Sequence, residues 1–244
     1  MHGRQRGNAR VLLVGVGGLG CPAALALVRA GVRRLGLCDD DEVELSNLHR
    51  QILFGEADIG SSKVEAAAQA LRRIAPDVEL RLHPTRLLPR DAVARVGEYD
   101  LVLEGSDNFA TKFLAADACH LAGVPVVHAA AVRWVGTALA VGARGRPCYR
   151  CLFEDVLDGV DAPNCAEAGV MGPVVGVVAA AQVDLALGLL GGDDVAGELV
   201  TFDGRTDVLR RRTIPARSRC PLCSAAPRIR RIEAETYLAP SCAG

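Results

Sequence analysis

The residues best suited to chemistry in this chain are basic and polar side chains placed just past a glycine turn. Gly15-Val16-Gly17-Gly18-Leu19-Gly20 follows the apolar run Val11-Leu12-Leu13-Val14. Between a strand and a helix, glycines at 15, 17, 18 and 20 let backbone N–H groups and the helix N-terminus face an anionic phosphate chain. Asp39 lies about twenty residues beyond the turn, where an acid at the end of a second strand can bind ribose hydroxyls. Asp40 and Asp41 offer the same group nearby. These features point to an adenine nucleotide without saying which one. Asn47, Arg50 and Gln51 come next, in Leu45-Ser46-Asn47-Leu48-His49-Arg50-Gln51, and Lys63 follows. Hydride transfer from a dinucleotide has no use for that cluster. A planar guanidinium fork and a compact ammonium could instead neutralise a triphosphate whose leaving group is pyrophosphate. Asp107, in Glu104-Gly105-Ser106-Asp107-Asn108, ends another apolar run, at the crevice where open parallel sheets bind ligands. A carboxylate there suits Mg2+, which keeps waters and bridges phosphates. Each residue alone could be a surface ion pair; their joint placement around one crevice points to adenylation.

The only lysines are Lys63 and Lys112 in a chain that otherwise uses arginine, so lysine at a motif position suggests a need for a point charge. An ionised carboxylate attacking a phosphate needs no general base. Histidine is therefore given no catalytic role, and His49 is expected to make packing or polar contacts.

Cys148-Tyr149-Arg150-Cys151 and Cys220-Pro221-Leu222-Cys223 form two C-x-x-C pairs. Four thiolates suit a tetrahedral structural Zn2+. The long segment between the pairs implies a staple between the C-terminal part and the sheet, not a compact ribbon. Cys165 stands by itself in a polar loop, where a swinging thiol could accept an acyl group or exchange sulfur with it. Cys21, Cys38 and Cys119 lie in core-like runs, and Cys242 near the end has no assigned role.

These groups need a scaffold. The apolar runs at 34–38, 78–82, 100–103, 124–128, 134–141 and 198–202 read as strands, and helical stripes cover 22–30, 63–75 and 111–122. Strand and helix alternate, which predicts an α/β, Rossmann-like, doubly wound and mostly parallel sheet with an antiparallel extension. A mobile crossover loop is expected at about 153–169. One nucleotide-binding domain is expected over 1–226, followed by a tail at 227–244. The apolar run 174–190 contains Gln182 and Asp184 and reads as a buried helix, short for a membrane span. A net charge of −1 and 4% aromatic residues argue against nucleic acid as a partner. Nine cysteines beside a polar start without a signal peptide fit free thiols or metal ligands, and a cytoplasmic protein with no membrane partner.

The run from Gly15 to Lys63, Gly105-Ser106-Asp107-Asn108, and Cys165-Ala166-Glu167-Ala168-Gly169-Val170 with Gly172-Pro173 resemble the ThiF/MoeB/HesA family, bacterial relatives of ubiquitin-activating enzymes. The resemblance spans roughly 10–223. It implies that Asp39 binds ribose, that Asn47, Arg50 and Lys63 address the phosphates of ATP, and that Asp107 binds magnesium. It also implies a substrate: the C-terminal carboxylate of a small ubiquitin-like sulfur carrier protein ending in Gly-Gly. A homodimer is implied, with an arginine before the first strand reaching the partner's nucleotide. Arg4-Gln5 has those letters without the connecting helix. The sulfur donor is expected to be a separate protein. Rival readings are a same-fold enzyme adenylating a peptide or another carboxylate, a non-catalytic binding module, and an NAD-dependent oxidoreductase; the last leaves Arg50 and Lys63 unexplained.

Overall fold

A computed structural model of the chain describes residues 7–153 and 169–237. Arg4, Gln5, Cys165, Cys242 and nearly all of the expected crossover loop lie outside the described residues.

Eight strands form one sheet in the order β3-β2-β1-β4-β5-β6-β7-β8. They are β1 Arg10–Val14, β2 Arg34–Cys38, β3 Glu79–His83, β4 Leu101–Glu104, β5 Val126–Val132, β6 Val135–Val141, β7 Glu198–Asp203 and β8 Val208–Thr213. β3, β2, β1, β4 and β5 pair in parallel, while β5–β6, β6–β7 and β7–β8 are antiparallel, as the sequence predicts. The chain order reverses between β1 and β4, which opens a crevice at their carboxyl ends.

Alternation along β1 shows why the strand is apolar throughout. Val11 and Leu13 join one core, while Leu12 and Val14 join another on the opposite face. The first core is roofed by α1 (Gly20–Arg29), α2 (Lys63–Ile74) and α6 (Gly172–Gly191). The second lies under α3 (Ala92–Val96), α4 (Phe109–Ala122) and the short α5 (Tyr149–Leu152).

One expectation is corrected, and two features were not anticipated. The arginine-rich β8 was not anticipated, because Val-Leu-Arg-Arg-Arg-Thr has no apolar alternation; it is an edge strand whose arginines are exposed. The apolar helix is longer than expected and, at 20 residues, is long and apolar enough to cross a membrane by length and composition alone. Its Val174, Val175, Val178, Ala179 and Leu185 instead pack in the first core. The stretch expected as a tail, 227–244, is described as far as Tyr237. That ring is buried in the second core, and its hydroxyl donates to Asp117 Oδ2 at 2.6 Å.

Candidate functional site

At the crevice, Gly15 takes φ +90°, and a side chain there would stand 3.0 Å from Ser106 N. Gly20 supports the turn from outside the crevice: a Cβ on it would lie 2.1 Å from Gly15 O. The turn is therefore pressed against both α1 and the loop after β4. The first turn of α1 carries no acid and no side-chain cap, which leaves its N-terminal dipole available to an anion.

A cavity of about 330 Å³ opens in front of this turn. Gly15, Gly17, Gly18, Asp39, Asp41, Asn47, Arg50, Gln51, Lys63, Asp107 and Asn108 all line it. Every residue expected at the nucleotide site is thus brought to one cavity except Gly20. Asp39 accepts from Val16 N at 2.7 Å and from Asp41 N at 2.9 Å, so it ties the end of β2 to the glycine turn. Burial pushes its carboxyl up from the ordinary value, against the lowering effect of those N–H donors. Lys63 Nζ donates to Asp41 Oδ2 at 2.7 Å. Arg50 donates to Asn47 Oδ1 at 2.8 Å and Ser46 O at 3.2 Å, and its stem packs over Gly18. Gln51 is buried with Oε1 unpartnered. Asp107 is exposed and free of ion pairs among the described residues. His49, also exposed, meets Ser46 O through Nδ1 at 3.0 Å, in keeping with a polar contact.

A second, apolar cavity of about 160 Å³ lies on the other side of Asp107. Ala129, Leu139, Tyr149, Phe153 and Leu199 are among its walls. Asp107 is the carboxylate common to both cavities.

Sequence reasoning missed several residues here. Arg86 lines the first cavity and grips Asp40 through Nε at 2.8 and 2.9 Å. Glu104, Lys112 and His128 form a buried cluster, and Lys112 and His128 line the second cavity with Asp107. The scarcity of lysine was the one signal that could have found Lys112.

On the far side of the sheet, the four paired cysteines meet. Their sulfurs all lie within 4.8 Å of one another, with Cys148–Cys220 at 3.5 Å and Cys151–Cys223 at 3.4 Å. A tetrahedral zinc with bonds of about 2.3 Å needs sulfur separations of roughly 3.8 Å, so the donor set fits that ion. Burial pushes the Cys148 thiol up, and the Cys223 thiol up to about 12. Burial also acts on Cys151, but N–H donors including Arg217 N at 3.4 Å outweigh it and hold that thiol low. Cys21, Cys38 and Cys119 are buried packing residues; burial pushes Cys21 to about 12 and Cys38 to about 11.

Residues 4–225 match the ThiF family. This chain belongs to it. Among curated relatives, it is 39% identical over 228 residues to "Adenylyltransferase and sulfurtransferase MOCS3" of Anopheles gambiae, covering 92% of this chain and 52% of that protein. The Sus scrofa protein of the same name is 45% identical over 222 residues, covering 89% and 48%. The chain thus spans about half the length of these relatives. Among solved structures, E. coli MccB superposes with a TM-score of 0.81 at 20% identity, over 93% of this chain and 68% of that one. At that identity the likeness speaks for the fold.

Proposed function

We propose that this chain is an ATP-dependent adenylyltransferase acting on the C-terminal glycine carboxylate of a small ubiquitin-like sulfur carrier protein ending in Gly-Gly. The observation that carries the reading is the position of Asp107 as the shared wall of a polar cavity and an apolar one. The polar cavity suits ATP: Asp39 for ribose hydroxyls, the 15–20 turn with Asn47, Arg50, Gln51 and Lys63 for the phosphates. The apolar cavity, with Ala129 and Ala130 in its walls, suits a slender acyl tail. A carboxylate arriving through it would meet the α-phosphate beside Asp107.

Asp107 fits magnesium because it is an exposed carboxylate with no ion pair among the described residues, beside phosphates that would supply the remaining oxygens. Bound there, the ion would screen charge on the phosphates and on the departing pyrophosphate. The residues of the chain do the rest by position and charge. A carboxylate oxygen attacks the α-phosphorus, the bond to the bridging oxygen of the β-phosphate breaks, and acyl adenylate and pyrophosphate result. Arg50 and Lys63 offset the repulsion between carboxylate and polyanion and stabilise the leaving group. The attacking group is already ionised, so no base is required.

The four cysteines would hold a structural zinc. Cys165 is assigned to the sulfur chemistry that follows adenylation, with sulfur supplied by a separate donor protein. The same reading makes the enzyme cytoplasmic and a homodimer; exposed Leu45, Ile52 and Ile59 lie between β2 and α2, where a second copy could cover them. Its test is carrier-dependent exchange of pyrophosphate into ATP. Exchange with a free peptide but with no Gly-Gly carrier would move the substrate to another carboxylate.

A further inference from the structure

We propose that Lys112 is a positioning residue that acts through Glu104 to fix the Ser106–Asp107 turn at the wall between the two cavities. The proposal rests on the reading that Asp107 holds magnesium.

Three titratable side chains are buried together beside that turn: Glu104 at 0%, His128 at 3% and Lys112 at 5% exposure. None is needed to build the sheet, and a buried ion pair seldom repays its desolvation when apolar residues could fill the space. What the cluster does is hold a turn. Glu104 Oε1 accepts from Ser106 N at 2.7 Å and from Ser106 Oγ at 2.5 Å, bending the chain as it leaves β4. Glu104 Oε2 accepts from Lys112 Nζ at 2.9 Å and lies 3.2 Å from His128 Nδ1. Lys112 Nζ also donates to Ala129 O at 2.7 Å. One ammonium on α4 thereby ties the end of β4 and the middle of β5 to the helix that follows Asp107.

The turn is also held from the front. Gly15 packs on Gly105 and Ser106 so closely that a Cβ there would sit 3.0–3.1 Å from their backbone atoms, so slack behind Ser106 alters the spacing between Asp107 and the phosphate turn. Asn108 completes the clamp by accepting from Thr111 N at 2.8 Å as the N-cap of α4. A lysine suits this position because its three donors radiate from one atom, and two are directed at partners on different strands.

Lys112 also lines the apolar cavity, so direct contact with the acyl donor is the competing role. The experiment uses the full chain with Lys112→Met, Lys112→Arg and Glu104→Gln. Binding of a non-hydrolysable ATP analogue is measured by calorimetry with and without Mg2+, and carrier binding is measured separately. If the cluster positions Asp107, Lys112→Met and Glu104→Gln both raise the Mg2+ concentration for half-maximal response by about ten- to a hundredfold, the loss typical of groups that orient a metal ligand. Metal-free nucleotide affinity and carrier affinity stay near wild type, and Lys112→Arg recovers most of the Mg2+ response. Loss of carrier binding in Lys112→Met with Glu104→Gln unaffected would overturn the proposal in favour of substrate contact. Lower melting temperatures with an unchanged Mg2+ response would reduce the cluster to a packing feature. A wild type that binds carrier but shows no Mg2+-dependent nucleotide binding would remove the assignment of Asp107, and this proposal with it.

Discussion

Lys63 Nζ and Asp41 Oδ2 stand 2.7 Å apart across the rim of the nucleotide cavity, with the lysine side chain 7% exposed and the aspartate 54%. The cation is held at the start of α2 while its partner can move into solvent. On the proposed reading, an incoming phosphate takes the place of Asp41 without moving the ammonium, which is a form of preorganisation.

Lys63→Ala is expected to lower pyrophosphate exchange by about 10²–10³-fold, the scale of losing one preorganised electrostatic contact. Its melting temperature should change little, because the abandoned Asp41 remains solvated. Exchange assays paired with thermal melts check both parts, and normal exchange in Lys63→Ala would remove this residue from the phosphate site.

One zinc per chain is expected by elemental analysis. Chelation, or Cys220→Ser, should destabilise the second core, since Cys148 and Cys151 flank Arg150, which is bound to Asp117 at 2.8 Å. Metal-free protein that melts like the metal-loaded form would refute the staple.

Tyr237→Phe removes a donor from the fully buried carboxylate of Asp117. A loss of about 1–3 kcal/mol in urea unfolding is expected for a hydrogen bond to a charged group. No change would mean that this hydrogen bond adds nothing to the stability of the core.

Acid should destabilise the fold in two stages. Burial is the largest cause holding His83, His120 and His128 below their ordinary value of 6.5, so the stability from their neutral rings is lost as pH falls past 6.5. Burial would raise Glu104, but Lys112, His128 and Ser106 outweigh it and hold the carboxyl at about 2 instead of 4.5. Its contribution is complete above 4.5 and is lost as pH falls through about 2. Asp39, raised by burial, acts in the opposite sense. Glu104→Gln should flatten the lower limb in melts recorded against pH; parallel limbs in variant and wild type would contradict this account.

The features legible in the sequence were those written locally. Val11–Val14, the glycine turn and Asp39 declare a nucleotide fold within thirty residues, and the paired cysteines declare their own assembly. The expected β3 and β4 are each shifted by one residue from the observed strands, because their ends are set by pairing and not by composition. β8 was hidden, since an edge strand needs no apolar alternation. The Glu104–Lys112–His128 cluster was hidden for another reason: its members come from β4, α4 and β5, and only the parallel pairing of β4 with β5 brings them together. Tyr237 likewise gains its partner 120 residues away in sequence.

The central claim is tested most directly by ATP/pyrophosphate exchange with a panel of small Gly-Gly carriers, using wild type and Asp107→Ala. Adenylation predicts Mg2+-dependent exchange with at least one carrier, and none in a folded Asp107→Ala variant. Exchange undiminished in that variant, or no exchange with any carrier by wild type that binds ATP, would contradict it.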